Sequence, residues 1–343
     1  MNDPQRWICP KCRSELRRES GPLLVCAGGH RFPIVEGVPV LLRDDVAQTM
    51  SLALASVARA RNEPGATDRR NPGLFLESLG ISEAEKNLAV ELARNHDGRV
   101  DPVVQVIVGA TSGFSYKHLI GKLESYPIPE FPLPPGDGRT LLDVGCNWGR
   151  WSVAAAGKGY RVIGIDPSLG AIMAATRVAK QLGLEMDFAV ADARHLPLRD
   201  RSMDAVFSYS VLQHFSRQDA SQAIEEAGRV LKAGGNCLIQ MAHAFGARSV
   251  YNQVRRLFRK KGEFDVRYWT VPRLKQVFEK HVGPATVSAD CYFGLGLQAS
   301  DRHLMPRKVA RVVEASETLR KTSLKFPWLA CLADSLYVSA MKS

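Results

Sequence analysis

Two acidic residues stand at a spacing typical of nucleotide-binding sheets. Asp143 opens the segment Asp-Val-Gly-Cys-Asn-Trp-Gly, which ends at Gly149, and Asp166 follows 17 residues after that glycine. The mostly apolar run 140–144 predicts a buried parallel strand, and 161–165 predicts a second one. Asp166 then stands at the carboxyl end of its strand, where a carboxylate can accept hydrogen bonds from both ribose hydroxyls. The spacing therefore indicates a nucleoside site.

The turn after the first strand separates two classes of nucleotide. Dinucleotide enzymes use Gly-x-Gly-x-x-Gly so that backbone amides can approach a pyrophosphate, but the matching positions here are Gly145, Asn147 and Arg150. An acid at position 143, just before the turn, is unfavourable beside a pyrophosphate and favourable beside a cation. S-adenosylmethionine carries both a sulfonium and an ammonium, so it is the nucleoside that this turn favours.

This segment resembles the first motif of the class I S-adenosylmethionine-dependent methyltransferases, Asp-x-Gly-x-Gly-x-Gly. Asn147 replaces the middle glycine, and asparagine is the residue after glycine that best tolerates a positive φ. Ala191-Asp192-Ala193 resembles the third motif of that family, in which the acid would bind the adenine amino group. The resemblance implies that the cofactor-binding residues are Asp143, Gly145, Asn147, Gly149, Asp166, Pro167, Asp192, Ala193 and Tyr209.

The segment after the fourth predicted strand, 203–208, bears on the methyl acceptor. Leu212-Gln213-His214-Phe215 resembles small-molecule methyltransferases that act on oxygen or carbon, including the quinone-biosynthesis type. Enzymes that methylate nucleobase amines often place Asn or Asp followed by Pro-Pro and an aromatic residue there, which this chain lacks. His214 is therefore the candidate catalytic residue, as a base for a hydroxyl proton, or alternatively a structural histidine.

The first thirty residues contain a cluster of potential metal ligands. Cys9-Pro10-Lys11-Cys12 is followed by Cys26 and His30, which gives Cys-x2-Cys, a gap of 13 residues and Cys-x3-His. Three thiolates and one imidazole at this spacing can surround a zinc ion tetrahedrally and leave no open position for chemistry. We expect a structural zinc, in a ribbon that resembles those accompanying some methyltransferases. The other four cysteines, Cys146, Cys237, Cys291 and Cys331, are scattered and are expected to be core or near-core thiols.

The chain of 343 residues exceeds the usual length of a single domain. The predicted organisation is a zinc ribbon at 1–42, a helical segment with a proline-rich linker at 43–138, and a methyltransferase core at 139–343. The predicted fold class is α/β, a Rossmann-like, doubly wound sheet of seven strands whose last strand runs antiparallel. A helical insertion is expected at about 294–333.

Charge and hydropathy limit the partners. The formal net charge is +11, and residues 243–282 contain ten basic residues against three acids, led by Arg255, Arg256, Arg259, Lys260 and Lys261. Such a segment can meet RNA phosphates, anionic lipid headgroups in a peripheral membrane contact, or an acidic small substrate. No apolar run approaches the ~18 residues that cross a bilayer, and no signal peptide is evident, so a cytoplasmic protein is expected.

Three functions remain open at this stage. The first is methylation of a small-molecule, lipid-like or sugar-like acceptor on oxygen or carbon. The second is methylation of a ribosomal or transfer RNA base, which the ribbon and the basic segment favour. The third is a noncatalytic binding module that has lost the cofactor because of Asn147.

Overall fold

A computed structural model describes residues 6–67, 70–95, 98–111, 114–256, 264–294, 296 and 298–343. Arg259, Lys260 and Lys261 lie outside this part of the chain. The chain divides into two compact units, one ending at Ser202 and the other beginning at Met203. Each unit is described separately below.

The first unit begins with a small antiparallel sheet of four strands. Their bounds are β1 Leu16–Arg18, β2 Leu23–Cys26, β3 Arg31–Val35 and β4 Val38–Pro39. Three helices follow, α1 Ser51–Ala60, α2 Glu83–Arg94 and α3 Pro102–Thr111, with short 3-10 turns at Leu76–Ser78 and Phe114–Leu119. Helix α2 begins with a capping box in which Ser82 and Glu85 exchange side-chain and backbone hydrogen bonds, which explains its sharp start.

Three parallel strands form the sheet of the first unit. They are β5 Thr140–Val144, β6 Arg161–Asp166 and β7 Asp187–Val190, and β6 lies between the other two. Helix α4, Arg150–Gly157, follows β5, and helix α5, Leu169–Gln181, follows β6. The apolar strands are buried, as expected for a parallel sheet covered by helices. Since the strands are parallel, their carboxyl ends share one edge.

The second unit contains a mixed sheet of four strands. They are β8 Met203–Ser208, β9 Leu231–Ala242, β10 Ala285–Cys291 and β11 Ser335–Met341. β8 and β9 pair in parallel, whereas β11 runs antiparallel to both β9 and β10. The helices are α6 Arg217–Val230, α7 Ala247–Arg256, α8 Val271–His281 and α9 Arg307–Lys325, with 3-10 turns at Leu212–His214, Ala299–Leu304 and Pro327–Leu332.

The α/β fold class predicted from the sequence is confirmed, with seven core strands of which the last is antiparallel. β9 begins at Leu231, so residues 232–235, which include Gly234 and Gly235, belong to the strand. The two glycines lie within the strand, where the pairing of β8 with β9 shifts register between Met203 and Ala205. A glycine at such an irregularity marks a bulge as readily as a turn.

The helices of the described residues were tested against the length and apolarity that a bilayer span requires. None of those in the described ranges meets both criteria.

Candidate functional site

The turn between β5 and α4 has an unusual backbone. Gly145, Asn147 and Gly149 all have positive φ angles, of 73°, 49° and 84°. Asn147 holds its left-handed conformation with its own side chain, since its Oδ1 accepts a hydrogen bond from the amide of Trp148 at 2.8 Å. Asparagine therefore replaces the family glycine without losing the turn, as the sequence predicted.

Asp143 is a buried carboxylate at the end of β5. Its Oδ2 accepts a hydrogen bond from the hydroxyl of Ser152, on α4, at 2.7 Å. Burial, together with the nearby charge of Asp166, raises the pKa of Asp143 to about 7. The carboxyl group therefore lacks enough stabilisation to remain fully ionised at neutral pH without a further partner.

Asp166 ends the neighbouring strand β6 and faces the same turn. Its two carboxylate oxygens accept backbone hydrogen bonds from Asn147 at 3.1 Å and Ser168 at 2.9 Å. Burial raises the pKa of Asp166 to about 6, although these two bonds oppose the effect. Pro167 follows directly and precedes Ser168, the N-cap residue of α5.

The two acids suit a cationic nucleoside. Two buried carboxylates with raised pKa values stand at adjacent strand ends, and they accept hydrogen bonds from a serine hydroxyl and two backbone amides rather than from a cation. A ligand that brings an ammonium, a sulfonium and ribose hydroxyls would supply the missing charge and donors. The donor set of this turn therefore fits S-adenosylmethionine.

Asp192 and Ala193 follow β7, whose carboxyl end lies at the same edge of the sheet. The carboxylate of Asp192 is engaged by Arg194, which donates to it from the backbone at 2.8 Å and from the guanidinium at 2.6 Å. Arg194 also donates to the carbonyl of Ala47 at 2.7 Å. Sequence reasoning missed Arg194, although an arginine two residues from a site acid is a visible signal.

Two serines from the segment before the core hold the start of α5, and sequence reasoning missed both. The hydroxyl of Ser56, on α1, donates to the carbonyl of Pro167 at 2.7 Å and accepts from the amide of Leu169 at 2.9 Å. Ser78 accepts from the amide of Gly170 at 2.8 Å. The segment before the core therefore caps the helix that follows Asp166.

The four predicted metal ligands come together in the ribbon. The ligand atoms of Cys9, Cys12, Cys26 and His30 lie within 4.8 Å of one another. Cys12 and Cys26 have their sulfurs 3.6 Å apart, and the Nδ1 of His30 lies 3.5 Å from the Cys9 sulfur and 3.3 Å from that of Cys26. Ligands on a tetrahedral zinc are separated by about 3.5 to 3.8 Å. The cluster therefore has the dimensions of a zinc site.

Tyr209 belongs to the second unit, directly after β8. Its hydroxyl donates to Asp290 at 2.9 Å and accepts from the side chain of Gln298 at 2.6 Å. Asp290 lies at the register shift between β10 and β11 and also accepts from Ser335 at 2.7 Å. Burial raises the pKa of Asp290 and that of Tyr209. This network fixes the backbone at the end of β8.

His214 ends the 3-10 turn that follows β8 and is partly buried. Burial lowers the pKa of its imidazole, so the ring is neutral at pH 7 and can accept a proton. Arg267 donates to the backbone carbonyl of His214, and the ring of Phe264 lies 6.2 Å from the imidazole. The surroundings are thus suitable for a base.

Comparisons with known proteins find methyltransferases similar to part of this chain. Residues 141–235 match the family model described as a methyltransferase domain. The chain is 26% identical over 161 residues to a ubiquinone biosynthesis O-methyltransferase of Azorhizobium caulinodans, covering 46% of this chain and 58% of that one. It is 35% identical to a malonyl-[acyl-carrier protein] O-methyltransferase of Yersinia pestis, covering 29% and 34%. A probable tRNA methyltransferase 9B of Bos taurus is 32% identical, covering 33% and 23%.

The match to a methyltransferase domain lies in the segment that carries the turn and its two acids. The chain spans less than two thirds of the length of each of these curated relatives. The relatives differ in the acceptors that their names state, so the acceptor must be argued from this chain.

Proposed function

We propose that this protein transfers a methyl group from S-adenosylmethionine to an oxygen or carbon of a small-molecule, lipid-like or sugar-like acceptor. The observation that carries the proposal is the pair of buried carboxylates, Asp143 and Asp166, around a turn whose backbone has three left-handed residues. Two of the named relatives are O-methyltransferases, which supports oxygen as the acceptor atom.

The cofactor supplies an already activated methyl group, so the protein needs little covalent chemistry. Asp166 would hold the ribose hydroxyls, Asp143 would lie near the cationic amino acid portion, and Asp192 with Ala193 would bind the adenine. His214, neutral at pH 7, would take the proton of an acceptor hydroxyl as the oxygen–methyl bond forms and the sulfur–methyl bond breaks. Such a base contributes about 10² to 10⁴ in rate.

The ribbon cluster would hold a structural zinc. Its four protein ligands would complete a tetrahedron, so no coordination position would be left for a substrate. We therefore assign the metal no part in methyl transfer.

An RNA acceptor is the second candidate, because one relative is named as a probable tRNA methyltransferase. The residues after β8, Tyr209 to His214, lack the Asn or Asp followed by Pro-Pro that is typical of enzymes acting on nucleobase amines. We rank RNA second for that reason.

Calorimetric titration of S-adenosylmethionine tests the cofactor site. We expect micromolar binding by the wild type and at least tenfold weaker binding by Asp166→Asn, which removes the charge and keeps the volume. Asp137→Asn is the matched control, since this exposed aspartate lies outside the turn. No binding by a folded, zinc-loaded wild type would overturn the proposal.

Measurement of kcat tests the proposed base separately from cofactor binding. His214→Gln should lower kcat on a hydroxylated acceptor and leave cofactor binding unchanged, whereas His303→Gln, at an exposed site, should change neither. If His214→Gln retained full kcat across the pH range, His214 would be structural.

A further inference from the structure

Several exposed apolar side chains lie at one edge of the sheet in the second unit. The carboxyl ends of β8 and β9 meet there, and the pairing of Ser335 with Ala242 and Cys291 adds the start of β11 and the end of β10. We call these exposed side chains the edge surface; they are Phe245, Val250, Tyr251, Val254, Phe293, Trp328 and Leu332. Single exposed apolar residues are ordinary, but a group at one edge requires an explanation.

Helix α7 supplies the centre of the edge surface. Val250, Tyr251 and Val254 form one stripe of the helix and are 44%, 49% and 53% exposed. A helix on a globular protein usually turns its apolar stripe to the core, yet the buried residue of α7 is Ser249. The guanidinium of Arg248 lies 5.1 Å from the ring of Tyr251. The apolar stripe therefore faces outward and is flanked by cations.

The remaining members of the edge surface adjoin this helix. The amide of Ser249 donates to the carboxylate of Asp334 at 2.6 Å, and His243 bonds to the carbonyl of Ala333 at 2.9 Å. These contacts place the start of α7 beside the end of the turn Pro327–Leu332. That turn carries Trp328, which is 64% exposed. The start of the helix and the end of the turn are therefore neighbours, and both carry exposed apolar side chains.

The cationic side chains around the edge surface indicate which kind of molecule binds there. Within the described part of the chain, no carboxylate forms a salt bridge with Arg248, Arg255 or Lys325, whereas Arg256 is paired with Asp265 at 2.9 Å. A second copy of the chain would bring like charges together. RNA phosphates would pair with the cations and RNA bases could stack on the aromatic rings, but RNA has no aliphatic groups that would pack on exposed side chains such as Val254. Anionic lipid satisfies both the cations and the aliphatic groups.

We propose that the edge surface docks on an anionic lipid bilayer and that the acceptor is a hydroxylated lipid held in that bilayer. The candidate base lies at the same edge, since His214 follows β8 and its ring contacts Phe264, which is half exposed. Arg256, the last residue of α7, joins this region through its pair with Asp265. The identity of the acceptor rests on the proposed function, whereas the docking does not.

Flotation of the full chain with vesicles tests the docking. Vesicles of phosphatidylcholine containing phosphatidylglycerol should bind the wild type, and vesicles of phosphatidylcholine alone should bind it weakly. Trp328→Ser should weaken binding about tenfold, because it removes a large apolar side chain from the interface. The double variant Arg248→Gln/Arg255→Gln should weaken it about thirtyfold, because two charges near the anionic surface are lost.

Matched controls lie away from the edge surface. Met341→Ser changes an apolar residue that is 63% exposed at the end of β11, and Lys280→Gln removes an exposed cation near the end of α8; both should bind vesicles as the wild type does. Equal loss in the controls and the test variants would overturn the assignment of the surface.

Three further results would overturn the proposal. The first is no vesicle binding by protein that still binds S-adenosylmethionine, which would leave the proposed function standing. The second is RNA binding that the same substitutions abolish, in the absence of vesicle binding. The third is a dimer, seen in sedimentation, that Trp328→Ser dissociates.

Discussion

Neutralising Asp143 should stabilise the cofactor-free protein while it damages the cofactor site. Asparagine has the same shape, and the bond with Ser152 survives because a hydroxyl can either donate or accept. The substitution therefore removes the charge and little else.

The size of the effect follows from the pKa. Burial raises the pKa of Asp143 from 3.8 to about 7. The folded state then binds the proton more tightly than the unfolded state, so the free energy of unfolding falls as pH rises between these two values. A difference of about three pKa units corresponds to an upper limit of about 4 kcal/mol above pH 7. Asp143→Asn should therefore gain about 2 to 4 kcal/mol at pH 8 and less than about 1 kcal/mol at pH 4.

Urea unfolding of cofactor-free wild type and variant at pH 4, 6 and 8 measures this difference, with Asp137→Asn as the control. The variant should also bind S-adenosylmethionine at least tenfold more weakly at pH 8, where the wild-type carboxylate is ionised. A gain in stability that is the same at pH 4 and pH 8, or a loss at pH 8, would refute the reasoning from buried charge.

Three other outcomes are expected. Affinity for S-adenosylmethionine should rise between pH 5 and pH 8, because the two buried acids must ionise to meet a cationic ligand; a flat calorimetric profile would contradict this. Ser56→Ala should weaken cofactor binding about fivefold by loosening the start of α5, whereas Thr176→Ala, which removes a bond within that helix, should not. Cys26→Ser should lower the thermal midpoint by about 5 °C or more through loss of zinc, and Cys331→Ser, at an exposed thiol, should leave it unchanged in a melting scan.

Much of the fold was accessible from sequence because its signals are local. The run from Thr140 to Val144 is apolar and bounded by glycine, and the strand occupies those residues. The left-handed backbone at residue 147 was expected because asparagine is one of the few residues other than glycine that tolerate this conformation. The spacing of three cysteines and one histidine was enough to predict that these four side chains cluster in the ribbon.

The contacts that sequence reasoning missed join residues far apart in the chain. Ser56 bonds to Pro167 across 111 positions, and Arg194 bonds to Ala47 across 147. The residues that adjoin Ser56 and Arg194 in the sequence do not indicate which distant carbonyl each side chain will bind. The outward orientation of the apolar stripe of α7 could not be predicted for another reason. Periodicity indicates that a helix has an apolar face and a polar face, but it does not show which face is buried.

The chain that leaves the ribbon also covers an edge of the sheet in the first unit. The amide of Leu41 donates to the carbonyl of Val190 at 2.7 Å, and Val40 forms a parallel bridge with the same residue, so the chain leaving the ribbon covers part of the outer side of β7. Trp7 forms a further bridge with Leu198. An uncovered edge strand is a template for pairing with other molecules. We therefore expect a truncated protein beginning at residue 139 to expose that edge and to aggregate more readily than the full chain.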